Sequence, residues 1–245
     1  MTWAKINQMA ITIEGNDCVD AWKKASTHLL VNRGRDYNML ISISDVSAFQ
    51  DDWIETYNAK SIATKYNSIK NVVWAIFPYK HYQRDASKDA LYESYPEYHK
   101  RFKKIRRVHG AWERSYFLRM ISFGDTKVNQ IDKIITAINS SSRKFKAAFN
   151  IHLSSAEYDN NVQRIGAPCL QYLQICHTDD DKLNLIAIYR NHDYLNKALA
   201  NFIGLSKLLM FICSETGKEP GTLVCHSIHA YTDSKTDLKT LIDRS

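Results

Sequence analysis

Apolar positions along the chain keep two rhythms, one of helices and one of strands. Over residues 18–30, Val19, Trp22, Ala25, Leu29 and Leu30 recur at helical spacing, and Asp17 stands where an N-cap would. Arg33-Gly34-Arg35 reads as a turn into residues 39–46, where Leu40, Ile41 and Ile43 predict a strand. Residues 52–61 predict a second helix. Residues 72–77 form a short apolar run rich in β-branched side chains, closed by Pro78. Residues 86–108 are polar and aromatic, and residues 110–121 are mixed.

The rhythm sharpens in the second half. Val128, Ile131, Ile134, Ile135 and Ile138 share one face of a predicted helix over 128–139. Residues 145–153 predict a strand, and 158–164 a polar loop. Residues 170–176 and 183–189 predict two strands, joined by the turn-forming Thr178-Asp179-Asp180-Asp181. A long helix over 195–215 should stop at Gly217, before a final strand over 222–231. Helices interleaved with strands, several of them hairpins, predict an α+β or mixed α/β fold around a large sheet. No repeat or linker divides the chain, so one domain over 1–245 is expected.

Composition narrows the partners. The 245 residues are 44% hydrophobic, ample for a full core. A formal charge of +7 suits an anionic ligand such as a phosphate, and equally plain solubility. The first 15 residues lack a basic stretch followed by a long apolar run, and residues 202–213 are short, apolar and interrupted by Lys207. These features predict a cytoplasmic protein with a buried core helix. The five cysteines are scattered without a C-x-x-C pair, which argues for reduced thiols and against structural zinc.

Two stretches carry candidate chemistry. Between 99 and 109, Lys100, Arg101, Lys103, Lys104, Arg106 and Arg107 could track a nucleic-acid backbone, with Tyr95, Tyr98 and Phe102 as stacking surfaces. A solvated helix face is the simpler reading of that run. The other stretch spans 167–231. It holds Cys169 after Pro168, Arg190 before Asn191-His192-Asp193, and His229-Ala230-Tyr231. A lone cysteine is by default a small buried hydrophobe, whereas a nucleophilic one needs neighbouring cations to favour its thiolate. Pairing of the two predicted strands could bring Arg190 close to Cys169.

The motifs of this stretch resemble those of thymidylate synthases and the related pyrimidine nucleotide hydroxymethylases. Pro168, Cys169 and Gln174 match the family's Pro-Cys with a glutamine five residues later. Residues 188–193 resemble its Y-Q-R-S-x-D run, 200–203 its F-N-I-A, and 227–231 its D-x-H-x-Y. Upstream, 139–144 resembles N-P-D-S-R-R and 148–150 resembles A-W-N, so the matches are collinear over 128–231. The resemblance implies a thymidylate synthase-type twisted sheet with flanking helices, and a homodimer.

It also implies roles. Cys169 would add to C6 of a pyrimidine, making C5 nucleophilic toward the one-carbon unit of 5,10-methylenetetrahydrofolate. Arg190, with Arg143 and Lys144 from a partner subunit, would hold the phosphate of a pyrimidine nucleotide monophosphate, with Arg33 or Arg35 as a further ligand. Gln174 and Asn191 would line the pocket, His229 and Tyr231 would bind the sugar, and Asp193 would sit near the folate. Asn201 would read uracil. Departures are equally visible. Lys197-Ala198-Leu199-Ala200 replaces the family's G-L-P-F, Asn191 its serine and Ser227 its aspartate, while the chain ends soon after Tyr231. Glu55 stands in for an early glutamate and His109-Gly110 for a tyrosine-glycine pair. These departures keep a second reading open, a non-catalytic nucleotide-binding homologue.

Overall fold

A computed structural model describes residues 10–63, 69–106, 115–159 and 168–243. In chain order come β1 (Ile11–Gly15), α1 (Cys18–Val31), β2 (Arg35–Ile43), α2 (Asp51–Ala63), α3 (Ile69–Ile76) and α4 (Tyr79–Asp85). Next are α5 (Lys88–Arg106), α6 (Tyr116–Ile121), α7 (Gln130–Asn139), β3 (Phe149–His152) and α8 (Ala156–Asp159). The last third holds β4 (Leu170–His177), β5 (Lys182–Tyr189), β6 (His192–Asp193), α9 (Ala198–Thr216), β7 (Glu219–Tyr231) and α10 (Lys235–Asp243). The architecture is α+β, a mixed sheet with flanking helices.

The seven-stranded sheet runs β1-β2-β7-β5-β4-β3, with β6 paired to the end of β7. The last strand in sequence is therefore central. It lies antiparallel to β2 and parallel to β5. A parallel neighbour needs a crossover, and α9 supplies it. That helix is apolar on nearly every side, as its composition predicts, and is buried along most of its length. It is long and apolar enough to cross a bilayer, yet 78% of its apolar window lies inside the fold. Each fully buried leucine on it contributes about 1.5–3 kcal/mol.

Local chemistry sets the ends of these elements. Asp17 caps α1, accepting from the Val19 and Asp20 amides. α9 stops at Gly217, whose φ of 63° is the left-handed turn that favours glycine. Gly204 lets α3 approach α9, since a Cβ there would lie 3.0 Å from Ile76 Cβ. That contact explains why the β-branched run over 72–77 is largely helical. One apolar face of α3 packs on α9, and burial overrides intrinsic preference.

One sheet face is covered by helices and carries Leu185, Ala187, Leu223, Cys225, Met39 and Ile41, all buried. The other face presents Tyr172, Ile188, His226 and Leu40 in one row, and Gln174, Ile186, Val224 and Ser42 in the next. These eight side chains are only half-buried.

Candidate active site

Strand register assembles the site. β4 and β5 are antiparallel with Leu170 opposite Tyr189, so the start of one meets the end of the other. Arg190 N donates to the Cys169 carbonyl at 2.9 Å, and Arg190 Nε donates to the Pro168 carbonyl at 3.0 Å. Tyr116, at the start of α6, holds the same corner from the helical side. Its hydroxyl accepts from Cys169 N at 3.2 Å and Leu170 N at 3.3 Å. Burial, then a charge at Cys169, pushes the Tyr116 phenol up to about 12, so it stays protonated. Cys169 itself is half-buried.

β7 runs parallel to β5 with Ser227 beside Tyr189, which carries its last residues past Arg190. His229 and Tyr231, two apart, point to one face and stack with centroids 5.5 Å apart at 7°. Across the strand pair stand Tyr37, opposite His229, and Arg35, opposite Tyr231. The Tyr37 ring lies 4.9 Å from His229. Asn191 Oδ1 can only accept, so His229 Nδ1 donates to it at 2.7 Å. Arg190, Asn191, His229 and Tyr231 together line one open recess of roughly 610 Å³. Burial, then Asp193, Asp233 and Cys169, pushes the Tyr231 phenol up to about 12, which makes it a neutral donor.

Beside the recess lies a buried polar cluster. Asn201, in the first turn of α9, is 3.0 Å from His192 Nε2 through its Nδ2. His192 Nδ1 is 2.8 Å from Ser227 Oγ, which is 3.0 Å from Tyr194 Oη. Burial, then Lys197, pushes His192 down to about 3, so the imidazole is neutral. Asp193 shapes the turn into α9, its Oδ1 accepting from Leu195 N and Asn196 N and its Oδ2 from Asn196 Nδ2. Trp22 Nε1 and Tyr57 Oη clamp that turn by donating to the Tyr194 and Leu195 carbonyls at 2.8 and 2.7 Å.

Other expected site residues lie elsewhere in the chain. Gln174 is on the opposite, half-covered sheet face, donating to the Phe149 carbonyl at 2.8 Å. Arg143 and Lys144 sit at the far end of β4, where Lys144 donates to the Asp179 carbonyl at 2.5 Å. Eight extended residues separate that end from Cys169, about 26 Å. Arg33 occupies the tip of the turn before β2 with φ of 61°, and Thr232 N, just past Tyr231, binds the neighbouring Gly34 carbonyl. Arg35 is therefore the turn's register partner to the recess. Glu55 lines a separate cavity of about 1140 Å³ between α2, α3, α4 and α9.

The basic run is corrected in part. Tyr95 is fully buried and hydrogen-bonded to Ser115, so it offers no surface for a stacked base. Tyr98 is engaged by Arg84, whose guanidinium lies 4.8 Å from its ring. His109-Gly110 and the side chains of 102–107 lie outside the described residues. Sequence reasoning missed Tyr116, Tyr194, Ser227 and Tyr37 as parts of the site. Ser227 was visible only as a departure, and Tyr116 carried no signal. Among the described residues no cluster of His, Cys, Asp or Glu could hold a metal ion.

A family model described as thymidylate synthase matches residues 50–245. The chain is 35% identical over 107 residues to a protein of Methanosarcina barkeri, covering 43% of this chain and 46% of that one. It is 31% identical over 118 residues to one of Methanocaldococcus jannaschii, covering 47% and 53%. A relative from Methanococcoides burtonii is 29% identical over 122 residues, covering 49% and 52%. All three carry the name "Putative thymidylate synthase". The matched stretch spans about half the length of each relative.

Proposed function

The chain belongs to the thymidylate synthase family, and on that premise we propose that it transfers a one-carbon unit, methyl or hydroxymethyl, to C5 of a uridine-type nucleotide monophosphate. The observation that carries this reading is the recess lined by Arg190, Asn191, His229 and Tyr231, with Cys169 hydrogen-bonded to Arg190 through the backbone. Each lining residue has chemistry for one part of such a nucleotide. The Arg190 guanidinium suits phosphate oxygens. His229, oriented by Asn191, and the neutral Tyr231 phenol suit sugar hydroxyls.

Cys169 acts as the nucleophile. Its thiolate adds to C6 of the ring, and the electron pair of the C5–C6 double bond moves toward the carbonyl at C4. Asn201 donates to that oxygen and accepts from N3–H. The enolate so formed makes C5 the attacking carbon. Tyr116 fixes the direction of attack by holding the Cys169 and Leu170 amides.

5,10-Methylenetetrahydrofolate would supply the one-carbon unit. Asp193 fits a role in holding it, because three N–H groups use only part of its carboxylate's acceptor capacity, about four sites. Lys197 is exposed at the start of α9, where the family has glycine.

Arg143 and Lys144 complete the phosphate site from a second copy of the chain. Their separation from Cys169 within one subunit supports this, as does the half-covered sheet face with Ile186, Ile188, Val224 and Leu40, which suits a homodimer interface.

The test is covalent trapping. Incubation with 5-fluoro-2′-deoxyuridine monophosphate and methylenetetrahydrofolate should give an adduct by mass spectrometry, absent in Cys169→Ser. Release of C5 tritium from the nucleotide without folate reports the addition step alone. Nucleotide binding with neither signal would refute catalysis and leave a binding protein.

A further inference from the structure

We propose that His192 is a positioning residue that selects the base, by fixing which way the Asn201 amide faces; this rests on the nucleotide-binding reading above. An asparagine side chain is symmetric in shape but not in chemistry. With the carbonyl toward N3 of the ring, it accepts from N3–H and donates to O4, which is uracil. Rotated by half a turn, it donates to N3 and accepts from an amino group, which is cytosine. Something in the protein must fix the rotation before a base arrives.

The buried cluster does so. Asn201 is 3% exposed, and its Nδ2 donates to His192 Nε2 at 3.0 Å. Because Nε2 accepts there, the proton of the neutral ring is on Nδ1, and Nδ1 donates to Ser227 Oγ at 2.8 Å. The Ser227 hydroxyl is then free to donate to Tyr194 Oη at 3.0 Å. A half-turn of the Asn201 amide would set its oxygen against the lone pair of Nε2. To remove that clash the ring proton must move from Nδ1 to Nε2, and the Ser227 and Tyr194 hydroxyls must both reverse. No net proton is gained or lost, but three groups must change together.

The ring cannot avoid this by turning over. It is stacked on Tyr189 at 4.1 Å and 4°, with Phe202 edge-on at 5.7 Å and Tyr194 at 5.2 Å. His192 is 1% exposed and Ser227 fully buried, so water does not offer a substitute partner. The groups facing the ring are thus Asn201, Ser227, Tyr194, Tyr189 and Phe202, and none carries a formal charge. An aspartate at position 227 would accept from Nδ1 in the same way, but it would add a charge and could not pass the hydrogen bond on to Tyr194.

Two measurements test the relay. First, nitrogen-15 NMR of histidine-labelled protein without nucleotide should show His192 as the single neutral Nδ1–H tautomer. The Nε2–H form, or a mixture, overturns the proposal. Second, titration calorimetry with uridine and cytidine monophosphates should give wild type a uridine preference on the order of ten- to a hundredfold, the effect of one unpaired buried polar group. His192→Phe keeps the ring's stacking but not its acceptor, and should cut that preference to about threefold or less. Ser227→Ala serves as a second variant should the first fail to fold; it should move His192 to the Nε2–H tautomer and lose the uridine preference. Full wild-type preference in a folded variant of either kind overturns the proposal. Wild type that binds neither nucleotide overturns the function proposed above and the selecting role with it. The tautomer, read without nucleotide, separates that failure from failure of the relay.

Discussion

Replacing Tyr116 by phenylalanine tests how the nucleophile's corner is held. The substitution removes one oxygen and leaves the ring. That oxygen accepts from two backbone amides, Cys169 N at 3.2 Å and Leu170 N at 3.3 Å. Both contacts are long, so each belongs in the lower half of the usual net range, about 0.5–1 kcal/mol. The two amides then lose that partner at a half-buried corner, which adds part of the desolvation penalty. The sum is a loss of about 1–2.5 kcal/mol. For a chain of this size that corresponds to a melting temperature lower by roughly 3–8 °C. Urea denaturation should show a lower midpoint with an unchanged slope. The consequence for chemistry is separable. Nucleotide affinity should hold within about twofold, because Tyr116 does not line the recess. Adduct formation with the 5-fluoro nucleotide should slow by about tenfold or more, because small misplacements of an attacking atom are costly. A variant as stable as wild type within about 0.3 kcal/mol would refute the claim that this hydroxyl anchors the start of β4.

Three further perturbations probe the fold and the shared site. Arg119 and Asp159 form a nearly buried pair at 2.6 Å, with side chains 6% and 11% exposed, so Arg119→Met should cost about 3 kcal/mol by urea denaturation. Burial opposes ionisation of Asp159, but hydrogen bonds from Arg119 and the Ser155 amide outweigh it and hold its pKa below the ordinary carboxylate value. A lowered folded pKa means stability that is present above about pH 4 and lost as pH falls through the folded value; Asp159→Asn should remove that part of the acid slope. Finally, mixing Arg143→Ala with Cys169→Ser subunits should restore adduct formation in heterodimers, and a monomer in sedimentation that still binds nucleotide tightly would sink the shared-site arrangement.

Much of the fold was legible because burial imposes period. α1, α7, α9 and the β4–β5 hairpin follow directly from apolar spacing, and Asp17 and Gly217 mark ends the structure keeps. β1 was invisible because five residues with alternating exposure give only two apolar positions inside them. The run over 72–77 left its element open because Val72, Val73 and Ile76 favour strands, whereas the segment is helical where it packs on α9 beside Gly204. The recess was legible through family motifs, and the four residues lining it were all expected. Its support was not. Tyr116 lies 53 positions from Cys169, and Ser227 35 from His192, and no local pattern encodes a hydrogen bond across such distances. Asp193 shows the converse, since a residue picked for a ligand also caps its own turn.

The place of β7 has a consequence for how the molecule is made. Among the described strands it is the last in chain order, and the one on which both halves of the sheet close. Until residue 219 emerges, β2 and β5 each present an open inner edge, and such edges invite pairing with other chains. The recess itself waits as long, since His229 and Tyr231 are among the last residues of that strand. A nascent or truncated chain therefore has no fractional version of the site. Nucleotide capture would report synthesis through Tyr231 rather than partial folding, and a ligand supplied during refolding should act only on the closing of the sheet on β7.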